Sequence, residues 1–147
     1  VGGHGGIGIA SPRLRVLEIC DVVPEDRALI ADMELPHLEE LVLRARSPVG
    51  PPAVFELFPK LVHLTLDNFT RPNLGASSLL DYVAEGLPGQ LRTVALPDCQ
   101  LDDRDLVAVI RNPERFAQLV RLDLRRNRFS RHLAATAKKH APGLRVR

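Results

Sequence analysis

A chain of 147 residues, 45% hydrophobic and 26% charged, has the make-up of one soluble globular domain large enough for a real core. Its longest aliphatic run within an expected helix, Leu106 to Ile110, is far too short to cross a bilayer, and no signal peptide is visible. The formal charge of +2 conceals a split. Residues 1–120 hold 11 Lys/Arg against 17 Asp/Glu, whereas residues 121–147 hold 9 against Asp123 alone. Such an imbalance speaks to partners or to capping.

The chain opens with VGGHGGIGIAS, and Gly3, Gly5 and Gly8 stand in the G-x-G-x-x-G register of a dinucleotide turn. The stretch is similar to the glycine turn of short-chain dehydrogenases. That fingerprint needs a strand before it and a helix after it. Only Val1 precedes it, and Ser11-Pro12 followed by a strand-like segment comes after. Residues 1–13 are therefore expected to be a glycine-rich crossover from a preceding repeat, with Ile7 and Ile9 packed under the next unit. No cofactor is expected.

From Leu14 onward one template recurs. LRVLEI at Leu14, LEELVL at Leu38, LVHLTL at Leu61, LRTVAL at Leu91 and LVRLDL at Leu119 all read L-x-x-L-x-L, with Ile19 and Val94 as the departures. Alternation with period two points the apolar residues inward and the intervening ones outward, as in a strand. Parallel strands need long crossovers, and the segments between copies supply them. PEDRALIADM after Pro24 sets Leu29, Ile30 and Met33 on one helical face, with Pro24 in the first turn. SPVGPPAVFELFP is short and proline-rich, which suits a single turn or a 3₁₀ stretch. SSLLDYVAEG offers Ser77 as N-cap, an apolar face of Leu79, Leu80 and Val83, and Gly86 as the stop. DDRDLVAVIRNP begins with Asp102, Asp103 and Asp105, buries Leu106, Val109 and Ile110, and ends at Pro113. SRHLAATAKKHAPG repeats the design with basic residues in its last turn.

Two copies extend the template, with Cys99 and Leu101 in one and Asn127 and Phe129 in the other. On these residues the chain resembles leucine-rich repeat proteins, over about residues 14–140, and its longer C-terminal units look like the ribonuclease-inhibitor-like class. The copies at Leu38 and Leu61 depart from the pattern, with Arg46 and Phe69 at the Asn/Cys position. The ending APGLRVR, residues 141–147, is similar to the small final strand or cap of bacterial leucine-rich repeat proteins. The resemblance implies an α/β fold: a right-handed solenoid, or horseshoe, of about five repeats. Its parallel sheet would lie on the concave side, with helices and short turns on the convex side.

Catalytic chemistry is sought and not found. His4, His37, His63, His132 and His140 form no H-E-x-x-H pair, no G-x-S-x-G elbow occurs, and Cys20 and Cys99 lie far apart. Two isolated thiols fit a reducing, cytoplasmic setting. Asp102, Asp103 and Asp105 are expected to serve a helix start rather than a cation, and Cys99 to be buried.

The outward strand positions remain, and they form three ladders. The first is Val16, Glu40, His63, Thr93 and Arg121. The second is Glu18, Val42, Thr65, Ala95 and Asp123. The third is Cys20, Arg44, Asp67, Pro97 and Arg125. Mixed charge among small residues suits a protein partner, because a phosphate backbone would want a stripe of one sign. The candidate binding residues are Glu18, Glu40, Val42, Arg44, His63, Thr65, Asp67, Thr93, Arg121, Asp123 and Arg125. The expectation is a non-catalytic protein-recognition module without metal, cofactor, small-molecule substrate or membrane. It would be a monomer or part of a longer chain. The alternatives are a polyanion or nucleic-acid site on the basic C-terminal repeat, or regulation of a nucleotide-binding partner, which the resemblance implies because some such repeats activate small GTPases.

Overall fold

A computed structural model describes residues 10–70, 78–141 and 143–146. The glycine fingerprint of Gly3, Gly5 and Gly8, with Ile7 and Ile9, lies outside the described residues. So does Ser77.

Six strands form one sheet whose spatial order follows chain order, with every neighbouring pair parallel. They are β1 (Val16–Val22), β2 (Glu40–Val49), β3 (His63–Phe69), β4 (Thr93–Ala95), β5 (Arg121–Asp123) and β6 (Leu144–Arg145). The crossovers carry α1 (Asp26–Ala31), α2 (Val54–Leu57), α3 (Leu79–Gly86), α4 (Asp103–Arg111) and α5 (Arg131–His140), with a 3₁₀ turn at Pro113–Phe116. The fold is α/β.

Equivalent template positions fall in register: Leu17 with Leu41, then Leu64, Val94, Leu122 and Leu144. Leu41, Leu43, Leu64, Leu66, Val94, Leu96, Leu122 and Leu124 are all buried in one cluster with Ile30, Phe58, Leu79, Val83, Leu106 and Ala134 from the crossovers. Each of these side chains larger than alanine contributes about 1.5–3 kcal/mol of hydrophobic stabilisation. Leu17 and Ile19, expected in the same seam, are only half-buried. Among the described residues β1 pairs with β2 alone, whereas Leu64 on β3 lies between β2 and β4.

The helices follow local chemistry. Ser130 caps α5 by accepting the N–H of Leu133, and basic Lys138, Lys139 and His140 close its last turn. For α3 the cap is Ser78 rather than Ser77: its Oγ accepts the N–H of Asp81 at 3.0 Å, which sets the helix one residue later than the sequence suggests. Gly86 is the last residue of α3, and what it provides is room for the Phe55 ring. A Cβ there would lie 2.6 Å from the Phe55 ring, and that ring stacks on Tyr82 at 5.9 Å between centroids. Pro24 precedes α1 in a turn instead of opening it, and Leu29 faces solvent at 44% exposure while Ile30 is buried. Six residues make too little helix to bury a broad face. Pro113 begins the 3₁₀ turn after α4 has ended at Arg111, and Ile110 is half-buried.

A second periodic feature lies at the strand ends. Asp21, Asn68, Asp98 and Arg126, each seven residues after the first leucine of its copy, all take left-handed φ values of 52–66°. The backbone kinks at the same place in four copies: Asp21 and Asn68 lie inside β1 and β3, just before their last paired residues Val22 and Phe69, while Asp98 and Arg126 lie beyond β4 and β5. The copy at Leu38 has no such kink; β2 runs on to Val49, which pairs with Phe69 after a register shift. The position that follows the kink holds Val22, Phe69, Cys99 and Asn127, the first three buried. An apolar plug or a hydrogen-bonding amide fills the same space.

Candidate recognition face of the sheet

One side of the sheet is covered by the crossovers. The other carries the ladder residues, and the register places the first two ladders as alternation requires. Val16, Glu40, His63, Thr93 and Arg121 are successive partners, as are Glu18, Val42, Thr65, Ala95 and Asp123. The third ladder is regular only at Arg44 and Asp67. Cys20 falls in the register shift at the end of β1, while Pro97 and Arg125 lie beyond the short strands β4 and β5.

Charges on this face are largely matched within it. Arg44 bridges Glu18 at 3.0 Å and Asp67 at 2.7 Å. Arg126 then approaches Asp67 at 3.6 Å and Asp98 at 3.5 Å, so acid and base alternate across the face from β1 to the turn after β5. Arg44 holds Glu18 below the usual carboxylate range, helped by the thiol of Cys20, which donates to Glu18 at 3.6 Å. Burial raises the Cys20 thiol, and Glu18 adds to the effect. Arg125 donates to both oxygens of Asp123, at 2.9 and 2.6 Å. Burial opposes the charge of Asp123, yet the Arg125 bonds keep its carboxyl below the ordinary value. His63 and Thr93 share a hydrogen bond of 2.7 Å.

Arg126 and Asp98 were absent from the candidate residues, because strand alternation says nothing about residues beyond a strand. The signal available was the Asp/Asn-rich position seven after each leading leucine, a residue type that tolerates left-handed backbone.

The acidic cluster is structural. Asp102 Oδ1 accepts the N–H groups of Arg104 and Asp105, and Asp105 Oδ2 reciprocates to the N–H of Asp102, a complete capping box. Asp103 accepts the N–H of Ser130 at 2.8 Å. Burial pushes the Asp105 carboxyl up. Cys99 is buried, donates to the carbonyls of Leu66 and Pro97, and has its pKa pushed up to about 12 by burial. A thiolate nucleophile at neutral pH is out of reach there. Among the described residues no group of three His, Cys, Asp or Glu is placed to hold a metal ion, and no helix is long and apolar enough to cross a membrane.

Comparison with protein-family models, curated proteins and solved structures finds no match to this chain.

Proposed function

We propose that the chain is a stretch of a leucine-rich repeat array of the ribonuclease-inhibitor-like class, a right-handed solenoid with its sheet on the concave side. In this proposal the concave side binds a protein partner without catalysis. The recurrence of one unit carries the proposal: the second apolar position of successive templates in register, and a left-handed residue at the same offset in four copies. Such units bury a continuous core only by stacking, which leaves one extended surface free for recognition. Acids interleaved with arginines on that surface favour a protein over a phosphate backbone. Unlinked Cys20 and Cys99 agree with a reducing, cytoplasmic setting.

The test is a combined Glu40→Ala, His63→Ala, Arg121→Ala variant used beside the wild type to capture partners from native extract. Capture should fall while the Tm changes little, since His63 and Arg121 are exposed, Glu40 is half-buried, and none of the three belongs to the core. Asp67 is spared because it anchors Arg44 and Arg126. Unaltered capture by the triple variant would remove this face as the binding surface.

A further inference from the structure

The three ladders hold nine charged or titratable side chains, and seven of them are engaged within the face. Glu18, Arg44 and Asp67 form one ion-paired chain to which Cys20 donates, Asp123 and Arg125 form a second, and His63 bonds Thr93. Glu40 and Arg121 make no ion pair or side-chain hydrogen bond among the described residues. They bound the stretch Glu40, His63, Thr93, Arg121 of the first ladder, beyond which lies only Val16 on β1. Three strand steps of about 4.8 Å separate them, roughly 14 Å. Beside the row runs an uncharged floor of Val42, Thr65 and Ala95; that neighbouring row continues to Asp123 and to exposed Arg145 on β6, a second cation at the same end as Arg121.

Resting on the recognition role proposed above, we infer that this row takes a protein segment bearing one basic and one acidic side chain about 14 Å apart. The basic group meets Glu40 and the acidic group meets Arg121. A uniformly acidic ligand is repelled at Glu40, and a uniformly basic one at Arg121 and Arg145. An extended segment crossing the strands advances about 3.3 Å per residue, so its two charges stand about four residues apart. Exposed charges of this kind fix orientation and speed encounter more than they add affinity. The short side chains of the floor let the segment's backbone approach.

The probe is a displayed library of random twelve-residue peptides selected on the immobilised chain at low salt. Enriched sequences should pair Lys or Arg with Asp or Glu at a separation of about four residues. Glu40→Lys or Arg121→Glu alone should weaken a selected peptide about fivefold, the scale of one exposed ion pair. The double variant should regain affinity for the same peptide with its two charges exchanged. Enrichment of uniformly acidic peptides, absence of any spacing preference, failure to enrich, or indifference to both single variants would overturn the inference. Thr65→Arg, which obstructs the floor, separates the two levels. Peptides lost with Thr65→Arg yet indifferent to Glu40→Lys would leave face recognition standing and refute the charge row. Peptides indifferent to all three changes bind elsewhere and refute both.

Discussion

Asn127 Oδ1 accepts the backbone N–H of Cys99 at 3.0 Å, although the two residues occupy the same template position in consecutive copies. The same oxygen takes the N–H of Leu101 at 3.1 Å, and Nδ2 donates to the carbonyls of Leu96 and Leu124 at 2.8 Å each. One amide thus satisfies the turns of two neighbouring units. Asn127→Ala should cost about 2–3 kcal/mol, because it strands several partly buried backbone groups at once. Asn127→Asp keeps the acceptor and loses the donors, so its urea midpoint should fall between the wild type and the alanine variant. A midpoint unchanged by Asn127→Ala would show that water replaces the amide freely.

Leu64 is 1% exposed at the middle of the sheet, whereas its register relative Leu17 is half-buried on β1. Leu64→Ala should cost on the order of 2–5 kcal/mol through the cavity left between stacked units. Leu17→Ala should cost distinctly less, because a half-buried side chain has less packing to lose. Equal midpoints for the two variants in urea would contradict this gradient of burial.

Asp105 supplies the pH-dependent prediction. Its raised pKa means that the folded state holds its proton more tightly than the unfolded chain does. Its favourable contribution is therefore complete below the unfolded value and fades as pH rises through the folded one. Asp105→Asn preserves an oxygen for the N–H of Asp102 and never carries the charge. Relative to wild type, it should gain most at pH 7 and lose that advantage as the pH is lowered toward 3. Parallel denaturation curves at the two pH values check the sign.

The basic C-terminal unit is less available than its count suggests. Arg125 is held by Asp123, and Arg126 lies between Asp67 and Asp98. The remaining exposed cations, among them Arg128, Arg131, Lys138 and Lys139, are expected to act as a solvated cap. The chain should leave a heparin column at or below physiological ionic strength, where the Debye length is about 8 Å. Retention well beyond that point, with a steep salt slope, would mark a polyanion site instead.

The L-x-x-L-x-L period was enough to locate β1 to β5, their parallel pairing and eight fully buried seam positions, because alternation and burial are coupled on any strand with neighbours on both sides. It could not foresee the half-burial of Leu17 and Ile19, whose strand pairs with β2 alone among the described residues. Ser77 and Ser78 are chemically identical as caps, and only the observed helix start chooses between them. The run-on of β2 past Ala45 lacked a local signal, since Arg46 broke the pattern without stating what replaced the turn. The two leading ladders were legible down to residue pairs. The ion-paired chain through Arg126 was not, because a long side chain on a turn reaches a distance that strand spacing does not encode.

The two thiols give the molecule an internal gauge of its own breathing. Cys20 lies open at the end of β1, whereas Cys99 is sealed between the turns after β3 and β5 and bonded to the Leu66 carbonyl. A neutral maleimide should modify Cys20 directly in the folded chain, more slowly than a free thiol because burial and Glu18 raise its pKa. Cys99 should react only when the centre of the sheet opens, so its rate relative to that of a free thiol gives the opening free energy at that point. Because Asn127 closes the same turn, Asn127→Ala should quicken labelling of Cys99 while leaving Cys20 unaffected.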